Sequence, residues 1–585
     1  MAASTSGRRR AAGQRDGGLG SLIRVAKRGG GVSGGEGVDG RIRLLRFVFI
    51  VFLVLVGGKA VALASSSENL TKIALQQQTA TVGLPAHRGA ILDRSGQELA
   101  VGKPAQTVYA TPDLLDDSAA AAHDLCAALQ INRKRERRVV AKVLAQRKSG
   151  FAYVARKVDP ELAKAALALD LPGVGSYAEE ERTYPMKGSA AQVLGFAGVD
   201  NNGLAGIELL YDRELSGVAG SEVIVRDPAG RTLKTVRQTQ PVPGADVRLT
   251  LDEDIQYVAE DVLEHTVRAS YAETATAIVM DPRTGEILAM ANVPRVKGNV
   301  FGRTPANDRN RAVTDVYEPG SIFKLVTISG ALADGLVSPT TRFTLQPSIT
   351  LYDRTINESH PRGTVNYSVR EILQWSSNVG AVKIGMKMGK ASLLKWMHAF
   401  GFAKPTGIAF PGEAQGIVPP ADQWSGTSIV NIPMGQGIAV TTMQMAAAFS
   451  TVANNGTAVT PRIVAQVGTK VSGMSGKHRV IPARVARQVR SMLETAVAEG
   501  TGTKAQIPGY DVAGKTGTAE IPLPDGSGYA KNTYVASFVG MAPADHPRLV
   551  VLVAVDGTPM YGGDCAAPAV QRIMRFALQH LEIAP

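Results

Sequence analysis

The sequence predicts an α+β protein on a single N-terminal membrane helix, with a mixed α+β module followed by a larger domain whose antiparallel sheet is packed by helices. Three features carry that reading. An apolar run occupies residues 44–64. Two prolines and a glycine break the pattern at 238–244 and divide the remaining chain into two folded parts. Beyond the break, strand-like segments at both ends enclose a helix-rich middle, as expected of one sheet assembled from the two ends of a domain.

Residues 47–58 are all apolar or glycine, and 60–64 continue the run after Lys59. The 21 residues of 44–64 reach about 31 Å as a helix, enough for the hydrocarbon core of a bilayer. Lys59 then snorkels to the outer interface. Residues 1–43, rich in Gly, Ser and Arg, bury too little apolar surface to offset ordering and read as a flexible tail. Ten basic residues against three acidic ones in 1–46 hold that end in the cytoplasm and place everything after 64 outside. The same segment carries seven of the thirteen net positive charges; the rest has no basic stripe interleaved with aromatics, which excludes a nucleic-acid partner. Ala62-Leu63-Ala64 also fits a signal cleavage site, which would start the mature chain at Ser65. A 46-residue leader is much longer than a usual signal n-region, so the anchor is the reading taken. Gly29-Gly30-Gly31-Val32-Ser33-Gly34 matches G-x-G-x-x-G only formally, because no strand precedes it.

Residues 65–84, with a triple serine and a triple glutamine, read as a polar stalk. The module at 85–240 has strand-like runs at 106–110 and 221–225 and an Ala- and Lys-rich helical passage at 119–170. The second domain, 245–583, opens with a strand at 246–251. Runs at 275–281 and 286–292, joined by Pro282-Arg283-Thr284-Gly285, read as a hairpin. A second strand pair is expected at 535–541 and 549–556, and 569–581 has helical spacing. Cys126 and Cys565 form neither a C-x-x-C pair nor a disulfide framework.

The chemistry is carried by three short motifs. In Glu318-Pro319-Gly320-Ser321-Ile322-Phe323-Lys324 the Pro-Gly step before an apolar run marks a helix start. Ser321 then lies near the positive end of the helix dipole, with Lys324 one turn away. A serine hydroxyl needs a base, and an amine serves once burial or a nearby cation lowers its proton affinity. Ser-x-x-Lys alone is weak, since Ser392-Leu393-Leu394-Lys395 also matches; that copy lies in an amphipathic pattern and reads as a solvated helix face. Ser376-Ser377-Asn378 follows the helical stretch 368–375; its hydroxyl suits proton relay and its amide suits a peptide carbonyl. The same S-x-N spacing recurs by chance at Ser67-Glu68-Asn69. Lys515-Thr516-Gly517-Thr518 is placed on or beside a strand, where a lysine and two hydroxyls suit a carboxylate and glycine admits an added peptide strand.

Together, in this order, Ser-x-x-Lys, Ser-x-Asn and Lys-Thr-Gly are similar to the signature of penicillin-binding proteins and serine β-lactamases. The resemblance covers nearly the whole exported chain. Arg88-Gly89-Ala90-Ile91-Leu92-Asp93-Arg94-Ser95-Gly96, Arg182-Thr183-Tyr184-Pro185 and Gly203-Leu204-Ala205-Gly206-Ile207-Glu208 resemble motifs of the pedestal in class B penicillin-binding proteins. No glycosyltransferase domain of the class A kind is visible. Tyr534-Val535-Ala536-Ser537 and Tyr561-Gly562-Gly563 look like the division-specific type, FtsI, rather than the elongation type, which usually has His-Ala-Trp at Val535-Ala536-Ser537.

The resemblance implies a penicillin-binding transpeptidase fold and a peptidoglycan D,D-transpeptidase acting on D-Ala-D-Ala stem peptides. It implies Ser321 as nucleophile, Lys324 as base, Ser376 as proton relay, Asn378 as the holder of the substrate amide, and Lys515, Thr516 and Thr518 as the carboxylate site beside Gly517. β-Lactams are the expected inhibitors. An FtsW-type glycosyltransferase and other division proteins are the expected partners, at the septum. No cofactor is expected, and the eight histidines include no close pair with metal-ligand spacing. A β-lactamase or penicillin sensor would share the three motifs, but the class A E-x-x-L-N is missing and the pedestal would be unexplained. A scaffold without activity would not need the intact set.

Overall fold

The computed structural model describes residues 36–65, 79–146, 150–186, 188–226, 232–296, 308–352, 354–523, 525 and 527–585. The glycine-rich match at 29–34, the S-x-N copy at Ser67 and most of the expected stalk lie outside these residues. The chain forms two compact units, 1–80 and 81–585. In the first, helix α1 (Glu36–Ser65) contains an apolar section, Gly40–Ala64, of mean hydropathy 2.6 that is long and apolar enough to cross a membrane. It starts earlier than the tail boundary at 43 because a helix, once nucleated, propagates cheaply through flanking residues. The last stalk residues are likewise ordered, as strand β1 (Thr79–Leu84).

The pedestal-like module is built on β2 (Ile91–Leu92) and the long β3 (Glu98–Ala110). The helical passage at 119–170 resolves into α2 (Ser118–Ala128), α3 (Arg133–Ala145), β4 (Ala152–Val158) and α4 (Pro160–Leu167). Asp117, Asn132 and Asp159 cap the three helices through their side chains. Residues 152–158 are a strand because tertiary pairing overrides their composition: β4 and β5 (Val174–Thr183) take the two edges of β3. Phe151 meanwhile stacks on Tyr109 and meets Tyr153 edge-on. Val108, Leu125, Val143, Val154 and Ala166 form the core of this layer. β6 (Gly220–Arg226) and β7 (Thr232–Thr239) make an antiparallel hairpin.

The three pedestal-like motifs meet at one buried point. Glu208, fully buried, takes Arg88 on one carboxylate oxygen at 2.7 Å and Arg182 on the other at 2.6 Å. Arg88 also reaches Asp212 at 2.7 Å, and Arg182 reaches the Gly89 carbonyl at 2.9 Å. Residues 120 positions apart are thereby locked together by charge-assisted bonds in a dry site.

The strand expected to open the second domain, β8 (Val247–Leu249), lies between the two parts of the fold. It pairs parallel with β2 and antiparallel with Val464–Val467, so one sheet runs through both. The larger domain then lays down α5 (Glu253–Ala269), β9 (Thr274–Met280), β10 (Ile287–Val293), α6 (Lys324–Ala333), α7 (Asn378–Ala399), α8 (Thr442–Ala453) and α9 (Ala483–Ala498). β11 (Ala513–Pro522), β12 (Tyr529–Ala542), β13 (Leu549–Thr558) and α10 (Ala566–His580) complete it. The sheet order is β10-β9-β13-β12-β11, antiparallel throughout, so both ends of the domain build one sheet as expected. Both faces are covered: Ala277 and Val279 pack with residues of α5 and α10, whereas Ile278 and Met280 join the core of α6, α8 and α9. That double burial explains the unbroken apolar run of β13.

Candidate active site

Ser321 sits on a tight turn, Gly320–Phe323, that leads directly into α6. Gly320 adopts φ +55°, and a Cβ there would meet the Thr518 carbonyl at 2.9 Å; conformation and packing both require glycine. Phe323, Leu325, Val326 and Ile328 are fully buried, so the turn is anchored in the core while Ser321 stays partly exposed. The segment is also held from behind: Gly320 N–H donates to the Gly435 carbonyl at 2.9 Å, and Gly437 N–H donates to the Glu318 carboxylate at 2.8 Å. Burial pushes the Glu318 carboxyl above its ordinary range.

Lys324 is fully buried at the start of α6. Its Nζ donates to the Ser376 carbonyl at 2.6 Å and to Asn378 Oδ1 at 2.8 Å, and lies 3.4 Å from Ser376 Oγ. Burial lowers this amine to about 7, partly opposed by the negative charge of Glu358. An amine poised there holds a lone pair near neutral pH and is able to accept a proton from a neighbouring hydroxyl. Ser376 itself is in a left-handed conformation, φ +59°, in the turn between the short helix Val369–Gln374 and α7. A capping box of Ser368 and Glu371 starts the first helix, and Ser377 caps α7 through the Gly380 N–H.

Lys515, Thr516, Gly517 and Thr518 occupy the middle of β11, paired with Val539 through Ala536 of β12. Gly517 lets that strand press against the Ser321 turn: a Cβ there would lie 2.3 Å from Ser537 Oγ and 3.1 Å from the Pro319 carbonyl. Lys515 is fully buried, with Nζ 3.1 Å from the Thr516 carbonyl and 3.2 Å from its hydroxyl. Burial, reinforced by the charge of Lys324, holds its amine well below the usual lysine range. Behind the strand, Gly562 N–H donates to Thr518 Oγ1 at 3.1 Å, and a Cβ on Gly562 would collide with the Gly517 carbonyl at 2.2 Å. Tyr561-Gly562-Gly563 is thus a close-packed support for this strand.

The three motifs, from residues 321 to 518, therefore converge on one cleft of about 540 Å³. Ser321, Ser376, Asn378, Thr516 and Thr518 line it. Lys324 and Lys515 lie buried behind that wall, and Gly517 serves the packing described above. The Ser392 copy is elsewhere, on α7, where Ser392 and Lys395 both bind Asp334. Sequence reading did not single out Arg354, His360, Gln436, Lys504 and Glu520, which also line the cleft, or Glu358 behind it. Gly435-Gln436-Gly437 offered a turn signal; the isolated charged residues offered none.

The chain as a whole resembles a known group of proteins. Residues 275–575 match the penicillin binding protein transpeptidase domain and 83–249 the penicillin-binding protein dimerisation domain. The chain is 35% identical to stage V sporulation protein D of Bacillus subtilis, covering 93% of this chain and 86% of that protein. It is 34% identical to the peptidoglycan D,D-transpeptidase FtsI of Escherichia coli K12, covering 85% and 84%. Crystal structures of penicillin binding protein 3 from Mycobacterium tuberculosis, apo and complexed with aztreonam, share 29% identity at a TM-score of 0.68, covering 86% of this chain and 98% of that one. With both domains, the expected order of motifs and relatives matched over most of their length in agreement, the chain belongs to the class B penicillin-binding proteins.

Proposed function

We propose that this chain is a peptidoglycan D,D-transpeptidase that cross-links stem peptides through an acyl-enzyme on Ser321. The observation that carries the reading is the buried Lys324 amine, lowered to about 7 and held against the Ser376–Asn378 segment beside the Ser321 turn. Lys324 takes the Ser321 proton as Oγ attacks the carbonyl of the penultimate D-Ala. The ester forms, the D-Ala–D-Ala amide bond breaks, and Ser376 relays the proton to the departing amine. Backbone N–H groups of Ser321 and Thr518 face the developing oxyanion, at roughly 3–4 kcal/mol per donor. Asn378 holds the substrate amide, while Lys515, Thr516 and Thr518 receive the terminal carboxylate and Gly517 admits the peptide beside β11. A second stem-peptide amine resolves the ester; water in its place gives carboxypeptidase side activity. β-Lactams acylate the same serine.

Lys324 sets the sign of the pH dependence. Its neutral form is the base, so the rate of penicillin acylation should rise with pH through a midpoint of about 7 and level off above it. Stopped-flow measurement with a fluorescent penicillin checks this. A rate that falls across the same range would remove Lys324 as base.

In the cell we assign residues 1–43 to the cytoplasm, 44–64 to the membrane, and the stalk, pedestal (85–240) and transpeptidase domain (245–583) to the outside. The division-type pattern at Val535-Ala536-Ser537 and Tyr561-Gly562-Gly563 favours septal wall synthesis with an FtsW-type polymerase and other division proteins. A fluorescent fusion should gather at the division site, and depletion should block septation while cells continue to lengthen. Dispersed signal with loss of cell shape would assign the protein to elongation instead.

A further inference from the structure

Glu358 belongs to none of the three motifs, yet its carboxylate is the hub of the segment that presents the second. The side chain is only 5% exposed. Its Oε1 accepts from Ser377 Oγ at 2.6 Å and from Val379 N–H at 3.3 Å, and its Oε2 accepts from Asn378 N–H at 2.9 Å. Those three residues form the cap and first turn of α7, directly after Ser376 with its φ of +59°. The neighbouring Asn357 carbonyl accepts from Asn378 Nδ2 at 3.0 Å, which turns Asn378 Oδ1 toward Lys324. One short stretch therefore holds Asn378 by backbone and side chain and fixes Ser377, the residue directly after Ser376.

A carboxylate at a helix N-terminus is ordinary. Burying it this deeply is costly unless a cation pairs with it. Arg362 supplies that cation at 2.5 Å and is itself held by the Leu345 and Gly363 carbonyls and over the Tyr367 ring. Among the described residues, the charged groups facing Lys324 are Glu358 and, from β11, Lys515; those facing Glu358 are Arg362 and Lys324. Glu358 thus favours the charged form of the Lys324 amine, against the burial that lowers it.

We propose that Glu358 is a positioning residue for acylation of Ser321, its Arg362-clamped carboxylate setting both the aim of Ser376 and Asn378 and the charge balance at the Lys324 amine. The inference rests on Lys324 acting as the base. Glu358→Gln keeps the side-chain length and removes the charge, so Lys324 releases its proton more readily. The acylation midpoint then moves down by about half a unit to one unit. The plateau rate falls by about tenfold, because a carboxamide cannot accept all of the bonds the carboxylate accepts. Arg362→Gln leaves the carboxylate less compensated and moves the midpoint up.

Opposite shifts from two neighbouring substitutions are not produced by loosening alone. The experiment is the second-order rate of labelling by a fluorescent penicillin, on the full-length chain in detergent, from about pH 5 to 9. Melting temperatures confirm that each variant is folded; if Glu358→Gln fails to fold, the upward shift in Arg362→Gln carries the test. A wild-type profile without a midpoint near neutrality would sink the reading of Lys324 as base. A wild-type midpoint near 7 that stays unmoved in the folded variants would reduce Glu358 to a helix cap and overturn the inference.

Discussion

Ser321→Ala should abolish covalent labelling by a fluorescent penicillin, with a fall in acylation rate on the order of a million-fold, as for removal of other serine nucleophiles. The protein should melt as the wild type does, because the change deletes one partly exposed hydroxyl from a turn anchored by Phe323 and Leu325. In wild-type protein, mass spectrometry should place the adduct on the Ser321 peptide. The competing Ser392 has the right spacing to Lys395 but the wrong surroundings. Both side chains bind Asp334, and the lysine is 63% exposed on the surface of α7, away from the cleft that Ser376, Asn378, Thr516 and Thr518 line. Label retained by the variant, or an adduct on Ser392, would overturn the assignment.

Glu208→Ala should produce the largest loss of stability, about 3–5 kcal/mol, since it removes a buried carboxylate shared by two buried guanidiniums and leaves Arg88 with Asp212 in its place. The side chains of Arg88 and Arg182 are 1% and 3% exposed, and the carboxylate between them is fully buried. The effect should appear as a lower melting temperature of the detergent-solubilised chain and as early proteolysis within 85–240. Asp545→Ala is the contrast. Its contact with His546 has a similar length, 2.8 Å, but both side chains are mostly exposed, and removal should change stability by less than about 1 kcal/mol. Equal melting of the two variants would mean that the Arg88–Glu208–Arg182 cluster is not a structural lock.

Local signals and their order were legible in the linear chain. The apolar run that became α1, the turn residues between β9 and β10, and the Pro-Gly step before Ser321 are short-range patterns that act through few neighbours. The same holds for Lys-Thr-Gly on a strand, where residue type already states what the backbone can do. The passage at 119–170 was not legible in this way: the strand at 152–158 forms only because β3, more than forty residues upstream, offers an open edge. Three-dimensional packing selected which of two Ser-x-x-Lys copies meets the other motifs, since 52 residues separate Lys324 from Ser376 and nearly two hundred separate it from Lys515. Packing also gave Lys324 its low proton affinity, because desolvation depends on everything that surrounds the amine. It made a hub of Glu358 and a lock of Glu208. In a linear sequence each is one glutamate among many; burial against a chosen cation turns it into a constraint.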